Sequence, residues 1–258
     1  MEFHFGGRGV ESTLAQERQY YDTLYARAKI DEPLLSRLIP PSEEPYWNKY
    51  VGSLNGKQVL ECGSGDGRVA LWLATQGARV QAVELSPIGV ERTRERARLH
   101  GLEDRVQAYV GDCCKLEQVI PPNSIDIALG FSVLHHFPPK EFGQSLRAVL
   151  KPGGRAIFLE NSDINPLYRF LRQIRNNESA CGSPLTQAKV RELVAQVGEG
   201  FPVFPRFGLF HLSAKYVFRN RAFYRRLVNR VDEIIDTIPG TRRWSAHMWV
   251  VLLKPEEV

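Results

Sequence analysis

The sequence contains no apolar run of about 18 residues, the length that a helix needs to cross a membrane. The stretch from Met1 to Val10 also lacks the apolar segment and the cleavage site of a secretory signal. We therefore expect a soluble, cytosolic protein. With 258 residues, of which 43% are hydrophobic, the chain is long enough for one α/β domain with a sizeable core but scarcely for two.

Cysteine is scarce, and its positions show neither the paired spacing of a zinc site nor the framework of a disulfide-rich domain. The cysteines are Cys62, Cys113, Cys114 and Cys181. We expect all of them to be reduced thiols. No motif elsewhere in the sequence predicts a metal site.

The chain has only a small excess of positive charge, with a net charge of +5 and a pI near 9.1. Much of this excess falls on the basic residues between Lys215 and Arg230. Such a stretch could contact nucleic acid or anionic lipid, but a solvated helix face has the same composition. Because no RNA-binding module accompanies it, we expect no nucleic-acid partner, whereas transient contact with a membrane surface stays open.

The dinucleotide-binding fingerprint G-x-G-x-x-G is incomplete, because its last position is Arg68 and the third glycine comes one residue early, at Gly67. A short apolar strand pattern instead precedes Gly63, Gly65 and Gly67, and a helical pattern follows them. Glycine permits a tight turn and lets a ligand lie against bare backbone. The following helix, expected from about Asp66, directs unpaired N–H groups at whatever lies over the turn. This stretch predicts a site for an anionic or zwitterionic, nucleotide-like cofactor.

Acidic residues stand at the ends of three consecutive predicted strands. Glu61 precedes the glycines, Glu84 ends the apolar stretch from Ala78 to Val83, and Asp112 follows the stretch from Arg105 to Val110. In an open parallel sheet these ends line one crevice, where ligands bind. A carboxylate can accept both hydrogens of a ribose diol, so Glu84 is the expected ribose ligand. Both Glu84 and Asp112 could also cap the helices that follow them.

The glycine stretch, with Glu61 two residues before it, resembles motif I (E/D-x-G-x-G-x-G) of the class I S-adenosylmethionine-dependent methyltransferases. The stretch Gly130 to Phe137 resembles the motif IV region of the ubiquinone-methyltransferase-like branch of this family. The residues from Lys151 to Gly154 resemble the family's L-K-P-G-G element, a turn before a fifth strand predicted from Arg155 to Glu160. The N/D-P-P-Y/F motif of the enzymes that methylate nucleobase or glutamine amino groups is absent. The resemblance covers Val59 to Glu160.

The resemblance implies an α/β fold, Rossmann-like, with a seven-stranded, mostly parallel sheet, an antiparallel last strand and helices on both faces. We expect one methyltransferase domain over residues 1–258. Its parts are an N-terminal helical lid (1–56), a cofactor-binding core (57–160), a variable substrate-cap region (161–245) and a final strand (246–258). The lid begins with a helix predicted from Val10 to Lys29. The arginines and glutamates of a helix predicted from Pro87 to His100 are typical of a solvent-exposed face with i, i+4 ion pairs.

The resemblance also implies S-adenosyl-L-methionine as the cofactor and S-adenosyl-L-homocysteine as the product. In the family, the acidic residue at the position of Asp112 accepts a hydrogen bond from the adenine amine. The implied cofactor-binding residues are Glu61, Gly63, Gly65, Gly67, Glu84, Leu85, Asp112, Cys113 and Phe131.

Methyl transfer to a hydroxyl or an acidic carbon requires a base, and histidine suits that task near neutral pH. His135 and His136 follow the fourth predicted strand and are the candidate catalytic residues, although this dipeptide also occurs as a packing element. His211 and His247 could supply the base instead. The aromatic residues between Phe201 and Tyr224 form either core packing or a wall for a substrate or lipid.

These patterns predict an enzyme that methylates a hydroxyl or a carbon of a small metabolite in a biosynthetic pathway. The aromatic and basic C-terminal stretch favours an acceptor that is apolar, aromatic or lipid-like and carries negative charge. Two alternatives remain open: a cofactor-bound cyclase or isomerase that transfers no methyl group, and a non-catalytic cofactor-binding protein. The identity of the acceptor and the oligomeric state are not predicted.

Overall fold

The computed structural model describes residues 10–30, 33–35, 44–161, 185–204, 231, 234–235, 237–238, 240–241, 245 and 247–256. Several sequence predictions fall outside these residues. They concern the helix after Asn161, most of the aromatic stretch, the basic stretch, His211, Cys181 and the side chain of His247.

The described strands form one seven-stranded sheet. Their bounds are β1 Gln58–Cys62, β2 Arg79–Glu84, β3 Val106–Val110, β4 Ile125–Phe131, β5 Leu150–Asn161, β6 Glu199–Val203 and β7 His247–Leu253. Their order in the sheet is β3-β2-β1-β4-β5-β7-β6. Strands β1 to β5 pair in parallel, whereas β7 is antiparallel to both β5 and β6. The predicted sheet is confirmed, including its antiparallel last strand.

Helices cover both faces of the sheet, as predicted. They are α1 Val10–Tyr25, α2 Glu44–Tyr50, α3 Arg68–Thr75, α4 Pro87–Leu99, α5 Pro139–Val149 and α6 Gln187–Val197. Buried side chains such as Phe142 of α5 and Val190 of α6 pack on one face. Leu71 of α3 and Val90 of α4 pack on the other. In the ranges that the structure describes, no helix is both long and apolar enough to cross a membrane.

The lysine-proline-glycine-glycine element belongs to β5 instead of preceding it. The strand begins at Leu150, whereas the sequence predicted a start at Arg155. Gly153 makes the expected local turn with φ +71°. Its N–H nevertheless donates to the Lys254 carbonyl at 3.0 Å, and the Lys254 N–H donates to the Gly154 carbonyl at 2.9 Å. The ladder therefore continues through the turn because the chain just after β7 supplies hydrogen-bond partners.

The ion pairs along α4 are spaced differently from the prediction. Arg92 Nη1 lies 3.0 Å from Glu95 Oε2, and Arg94 Nη1 lies 3.9 Å from Glu91 Oε2, so both pairs are i, i+3. Arg94 also donates to a backbone carbonyl of β3, that of Ala108, at 2.7 Å. Part of this arginine-rich face therefore holds α4 to the sheet edge.

Arg96 contradicts the prediction that α4 presents its arginines to solvent, because it is only 2% exposed. Its Nη2 lies 3.1 Å from Asp66 Oδ2 in the loop before α3. The same guanidinium donates to the carbonyls of Lys29 and Ile30, which follow α1. Arg96 is buried because it satisfies these remote acceptors, and it thereby fastens the end of the N-terminal segment beside the carboxyl ends of the strands.

Candidate functional site

The turn between β1 and α3 has a backbone that favours glycine at three alternate positions. Gly63, Gly65 and Gly67 have φ values of 68°, 58° and 85°, in the left-handed region. A Cβ on Gly63 would lie 2.5 Å from a methyl carbon of Val133, and one on Gly67 would lie 2.6 Å from Thr93 Oγ1. Both conformation and packing therefore require a bare backbone here.

Glu61 is buried at the end of β1, with 3% of its surface exposed. Its Oε2 has no hydrogen-bond partner in the part of the chain that the structure describes. Burial raises the pKa of Glu61 well above its usual range, and the nearby carboxylates of Glu84 and Asp66 raise it further. A cationic group beside this carboxyl would relieve both effects.

Glu84 joins the end of β2 to the glycine turn. Its Oε2 accepts the Gly65 N–H and its Oε1 accepts the Ser86 N–H, both at 2.9 Å. Burial raises the pKa of Glu84, and these hydrogen bonds oppose that shift without cancelling it. Since each carboxylate oxygen has two lone pairs, Glu84 can accept further hydrogen bonds from a ligand.

Asp112 follows β3 and caps the short 3-10 helix Cys113–Gln118, where its Oδ1 accepts the Cys114 N–H at 2.8 Å. The capping alternative is thus confirmed, and it leaves the ligand role open because Asp112 also borders the pocket described below. Among the described cysteines, Cys62, Cys113 and Cys114 are free thiols. A hydrogen bond with Cys62, together with burial, raises the pKa of Cys113 well above its usual range.

A pocket of about 180 Å³ lies at this edge of the sheet. The residues that line it are Leu14, Glu17, Tyr21, Tyr25, Gly63, Glu84, Leu85, Gly111, Asp112, Cys113, Phe131, Ser132, Val133, His136 and Phe137. Most of the predicted cofactor residues are in this set. Glu61, Gly65 and Gly67 are not, and they lie in the strand end and turn that adjoin it.

Helix α1 forms the opposite wall through side chains that the sequence analysis did not assign to the site. Glu17, Tyr21 and Tyr25 are spaced i, i+4, i+8, which places them on one helix face. The rings of Tyr21 and Tyr25 stack with centroids 5.8 Å apart. A Cβ on Gly65 would lie 3.0 Å from the Tyr25 hydroxyl, so this ring covers the glycine turn. The i, i+4 spacing was the available sequence signal.

The structure gives the two candidate histidines different surroundings. His135 is absent from the pocket lining, and its Nδ1 lies 3.0 Å from Glu160 Oε2. His136 lines the pocket, with Nε2 3.3 Å from the Tyr21 hydroxyl and Nδ1 3.5 Å from Glu17 Oε1. Only His136 is therefore placed to meet a ligand in this pocket.

Glu160 is a fourth carboxylate near a strand end that the sequence analysis did not assign. It is 2% exposed, and its Oε1 accepts the N–H groups of Val133 and Leu134 at 2.6 and 2.7 Å. These bonds hold the short 3-10 helix Leu134–His136 against β5. The strand-end rule that located Glu61 and Glu84 would also have located Glu160. In the part of the chain that the structure describes, no three His, Cys, Asp or Glu side chains come together as a metal site.

Comparison with known proteins connects this geometry to a family. Residues 60–158 match the family described as "Methyltransferase domain". The ubiquinone biosynthesis O-methyltransferase of Idiomarina loihiensis is 32% identical over 123 residues, which cover 46% of this chain and 49% of that protein. Methyltransferase GfsG of Streptomyces halstedii is 35% identical over 102 residues, covering 39% of this chain and 36% of that protein. The chain thus spans about half the length, or less, of the curated relatives it matches.

Solved structures agree with the fold over nearly the whole chain. Geranyl diphosphate C-methyltransferase from Streptomyces coelicolor A3(2), solved with Mg²⁺, geranyl diphosphate and S-adenosyl-L-homocysteine, has a TM-score of 0.61 at 15% identity and covers 96% of this chain and 100% of its own. The [4+2]-cyclase SpnF has a TM-score of 0.59 at 18% identity and covers 94% of this chain and 96% of its own. At these identities the likeness establishes the fold alone. The segment 60–158 belongs to the methyltransferase-domain family, and the described fold is that of the class I S-adenosylmethionine-dependent methyltransferases.

Proposed function

We propose that the protein binds S-adenosyl-L-methionine and transfers its methyl group to a hydroxyl or a carbon of a small acceptor, leaving S-adenosyl-L-homocysteine. The observation that carries this proposal is the group of strand-end carboxylates around the glycine turn. Glu61 is buried with one unpartnered oxygen, while Glu84 and Asp112 border the adjoining pocket. An orphaned, buried carboxyl beside bare glycine backbone suits a ligand that carries a cationic group and approaches the chain closely.

The residues present fit the cofactor. Glu61 would face its cationic part, Glu84 would accept the hydroxyls of its ribose, and Asp112 would accept the adenine amine. Leu85, Cys113 and Phe131 would border its adenosine, in line with their position around the pocket. When bound, the cofactor supplies a methyl group that its sulfonium has already activated, so the protein's main task is to hold and deprotonate the acceptor.

His136 is the base in this proposal. His136 lines the pocket, and its Nε2 lies 3.3 Å from the hydroxyl of Tyr21, another lining residue, a position at which an acceptor hydroxyl could donate its proton. The other predicted candidate, His135, is instead hydrogen-bonded to Glu160 through its Nδ1. A base beside the pocket is needed for methyl transfer to a hydroxyl but not for binding the cofactor alone. Its presence therefore favours the enzyme over the non-catalytic alternative.

The pocket also suggests the type of acceptor. Its described lining includes apolar and aromatic side chains such as Leu14, Val133 and Phe137, and it contains no Lys or Arg among the residues that the structure describes. A neutral, apolar or aromatic acceptor fits this lining. Negative charge on the acceptor, transient membrane contact, a cytoplasmic location and the division into lid, core and cap stay predictions from the sequence.

Calorimetry on the purified protein tests cofactor binding. We expect saturable uptake of S-adenosyl-L-methionine and S-adenosyl-L-homocysteine and no comparable uptake of NADH. Asp112→Asn should weaken the binding of both by about 10- to 150-fold, because hydrogen bonds to charged groups contribute about 1.5–3 kcal/mol. Asn can still cap the helix through Oδ1, so the loss reports the ligand contact and not the cap. Preferential binding of NADH would contradict the proposal.

Product mass then separates methyl transfer from its alternatives. Incubation with a panel of phenols, polyketides and prenylated acceptors should yield a product in which a methyl group replaces hydrogen, together with one equivalent of S-adenosyl-L-homocysteine. A product isomeric with its substrate would indicate a cyclase or isomerase. Binding without any product across the panel would favour the non-catalytic alternative.

A further inference from the structure

The His136 ring lies between two side chains of α1. Its Nδ1 is buried and has no hydrogen-bond partner among the described residues, although Glu17 Oε1 is 3.5 Å away. Both side chains are largely enclosed, with 10% of His136 and 14% of Glu17 exposed. The separation is longer than a normal hydrogen bond and lies within the range of an ion pair.

A neutral imidazole can accept a proton at Nε2 only if its own proton sits on Nδ1. The group that faces Nδ1 decides between the two tautomers, because a carboxylate there favours the Nδ1–H form. Glu17 faces Nδ1, while the Tyr21 hydroxyl faces Nε2 and can either donate or accept. Glu17 is thus placed to favour the Nδ1–H tautomer, which leaves Nε2 able to act as the base.

We propose that Glu17 is a positioning residue for His136, which holds the proton on Nδ1 so that Nε2 can take up the acceptor's proton. This inference rests on the proposed function. Glu17 belongs to α1, whereas His136 follows β4, so the base is complete only while α1 lies across the pocket. Helix α1 thereby supplies part of the group that makes His136 a base.

Other charged or titratable groups near His136 do not replace Glu17. The His135 ring lies beside it, with centroids 4.1 Å apart, but its Nδ1 is engaged by Glu160 of β5. Glu84, at the end of β2, interacts with His136 electrostatically and is hydrogen-bonded to Gly65 and Ser86. From α1, Glu17 and Tyr21 approach the ring nitrogens.

The test compares the full-length wild type with Glu17→Gln, Glu17→Asp and Arg18→Gln. Arg18 is the exposed neighbour of Glu17 and serves as a matched control for a charge change on the same helix. Nitrogen-15 NMR reports the tautomer of His136, whose signal is assigned by its loss in His136→Asn. We expect the Nδ1–H form in the wild type and in Arg18→Gln, a shift toward Nε2–H in Glu17→Gln, and partial retention in Glu17→Asp.

Kinetics provide the second readout. We expect Glu17→Gln to lower kcat by about 100-fold, within the range that a positioned base contributes, with little change in cofactor affinity. Its pH–rate profile should differ from that of the wild type, because the carboxylate beside the base has become a neutral amide. Arg18→Gln should keep the wild-type profile.

An unchanged tautomer and an unchanged pH profile in Glu17→Gln would overturn the inference. Failure of the wild type to bind the cofactor or to transfer a methyl group would overturn the proposed function instead. The NMR measurement needs no turnover, so it still decides whether Glu17 sets the tautomer of His136. Circular dichroism of each variant separates these outcomes from loss of the fold.

Discussion

At the residue scale, Glu61 is buried at the end of a central strand without a partner for one of its oxygens. Isolated buried carboxylates are costly, and here the cost appears as a raised pKa. A cationic ligand that binds beside Glu61 would offset this cost. Burial of the Glu61 carboxylate lowers the stability of the free protein, and binding of the ligand would restore that stability.

Glu61→Gln should therefore stabilise the free protein more at alkaline than at acidic pH. The folded-state pKa of Glu61 is raised, so its contribution to stability is complete below the unfolded value of about 4.3 and is lost as pH rises through the folded value. We expect Tm of Glu61→Gln to exceed that of the wild type by about 2–4 °C near pH 8 and by less near pH 5.

The control for this measurement is Glu91→Gln, since the Glu91 side chain is 53% exposed. Its Tm difference from the wild type should be small at both pH values. A Tm gap for Glu61→Gln that does not grow with pH would show that Glu61 titrates normally in the folded protein.

At the scale of elements, the glycine turn requires glycine for two reasons, a left-handed backbone and close packing. Mutation can separate the two. Gly67 has φ +85° and is packed against Thr93, whereas Gly101, after α4, has φ +64° with no atom within 4 Å of an added Cβ. Alanine at Gly101 meets only the backbone strain of the left-handed region, about 1–2 kcal/mol. Alanine at Gly67 meets that strain and a collision with Thr93.

We expect Gly67→Ala to lower the free energy of unfolding by about 1–3 kcal/mol more than Gly101→Ala does, because overpacking adds a cost of that size. Urea denaturation of both variants measures the difference. Gly67→Ala should also weaken cofactor binding, while Gly101→Ala should leave it unchanged. Equal losses of stability in the two variants would mean that the turn can move away from Thr93.

At the scale of the whole molecule, the N-terminal segment is held to the sheet by the buried Arg96. This side chain connects α4, the loop containing Asp66 and the carbonyls after α1. Asp66 also pairs with Arg68 at 3.1 Å, but the Arg68 side chain is 44% exposed. The two arginines therefore share a carboxylate and differ in burial.

Arg96→Met should cost about 3 kcal/mol of stability, as expected when one partner of a buried ion pair is removed. Arg68→Met should cost less than about 1 kcal/mol, because exposed pairs contribute little. Hydrogen exchange should accelerate at residues 22–30 in Arg96→Met, and by less in Arg68→Met. Normal protection of that segment in Arg96→Met would show that other contacts hold α1 over the pocket.

The order of strands and helices could be predicted because it depends on local patterns. Apolar strand runs, a glycine turn and strand-end carboxylates are visible in neighbouring residues, and β2 and β3 begin and end within one residue of prediction. Two local predictions were wrong for tertiary reasons. Leu150 joins β5 through the ladder with β4 and the chain after β7, and Arg96 is buried because it meets carbonyls some 66 residues away.

The amino-acid sequence alone predicted the glycine turn and the strand-end carboxylates, since spacing along the chain is enough to specify them, and its resemblance to a known family implied the fold class. Only the tertiary structure decided which of two adjacent histidines faces the pocket, and that Glu17 and Tyr21 of the N-terminal helix meet it there. Tyr21 and His136 are 115 residues apart in the chain. Contacts at that distance arise from how helices pack on a sheet, and no local pattern of residues encodes them.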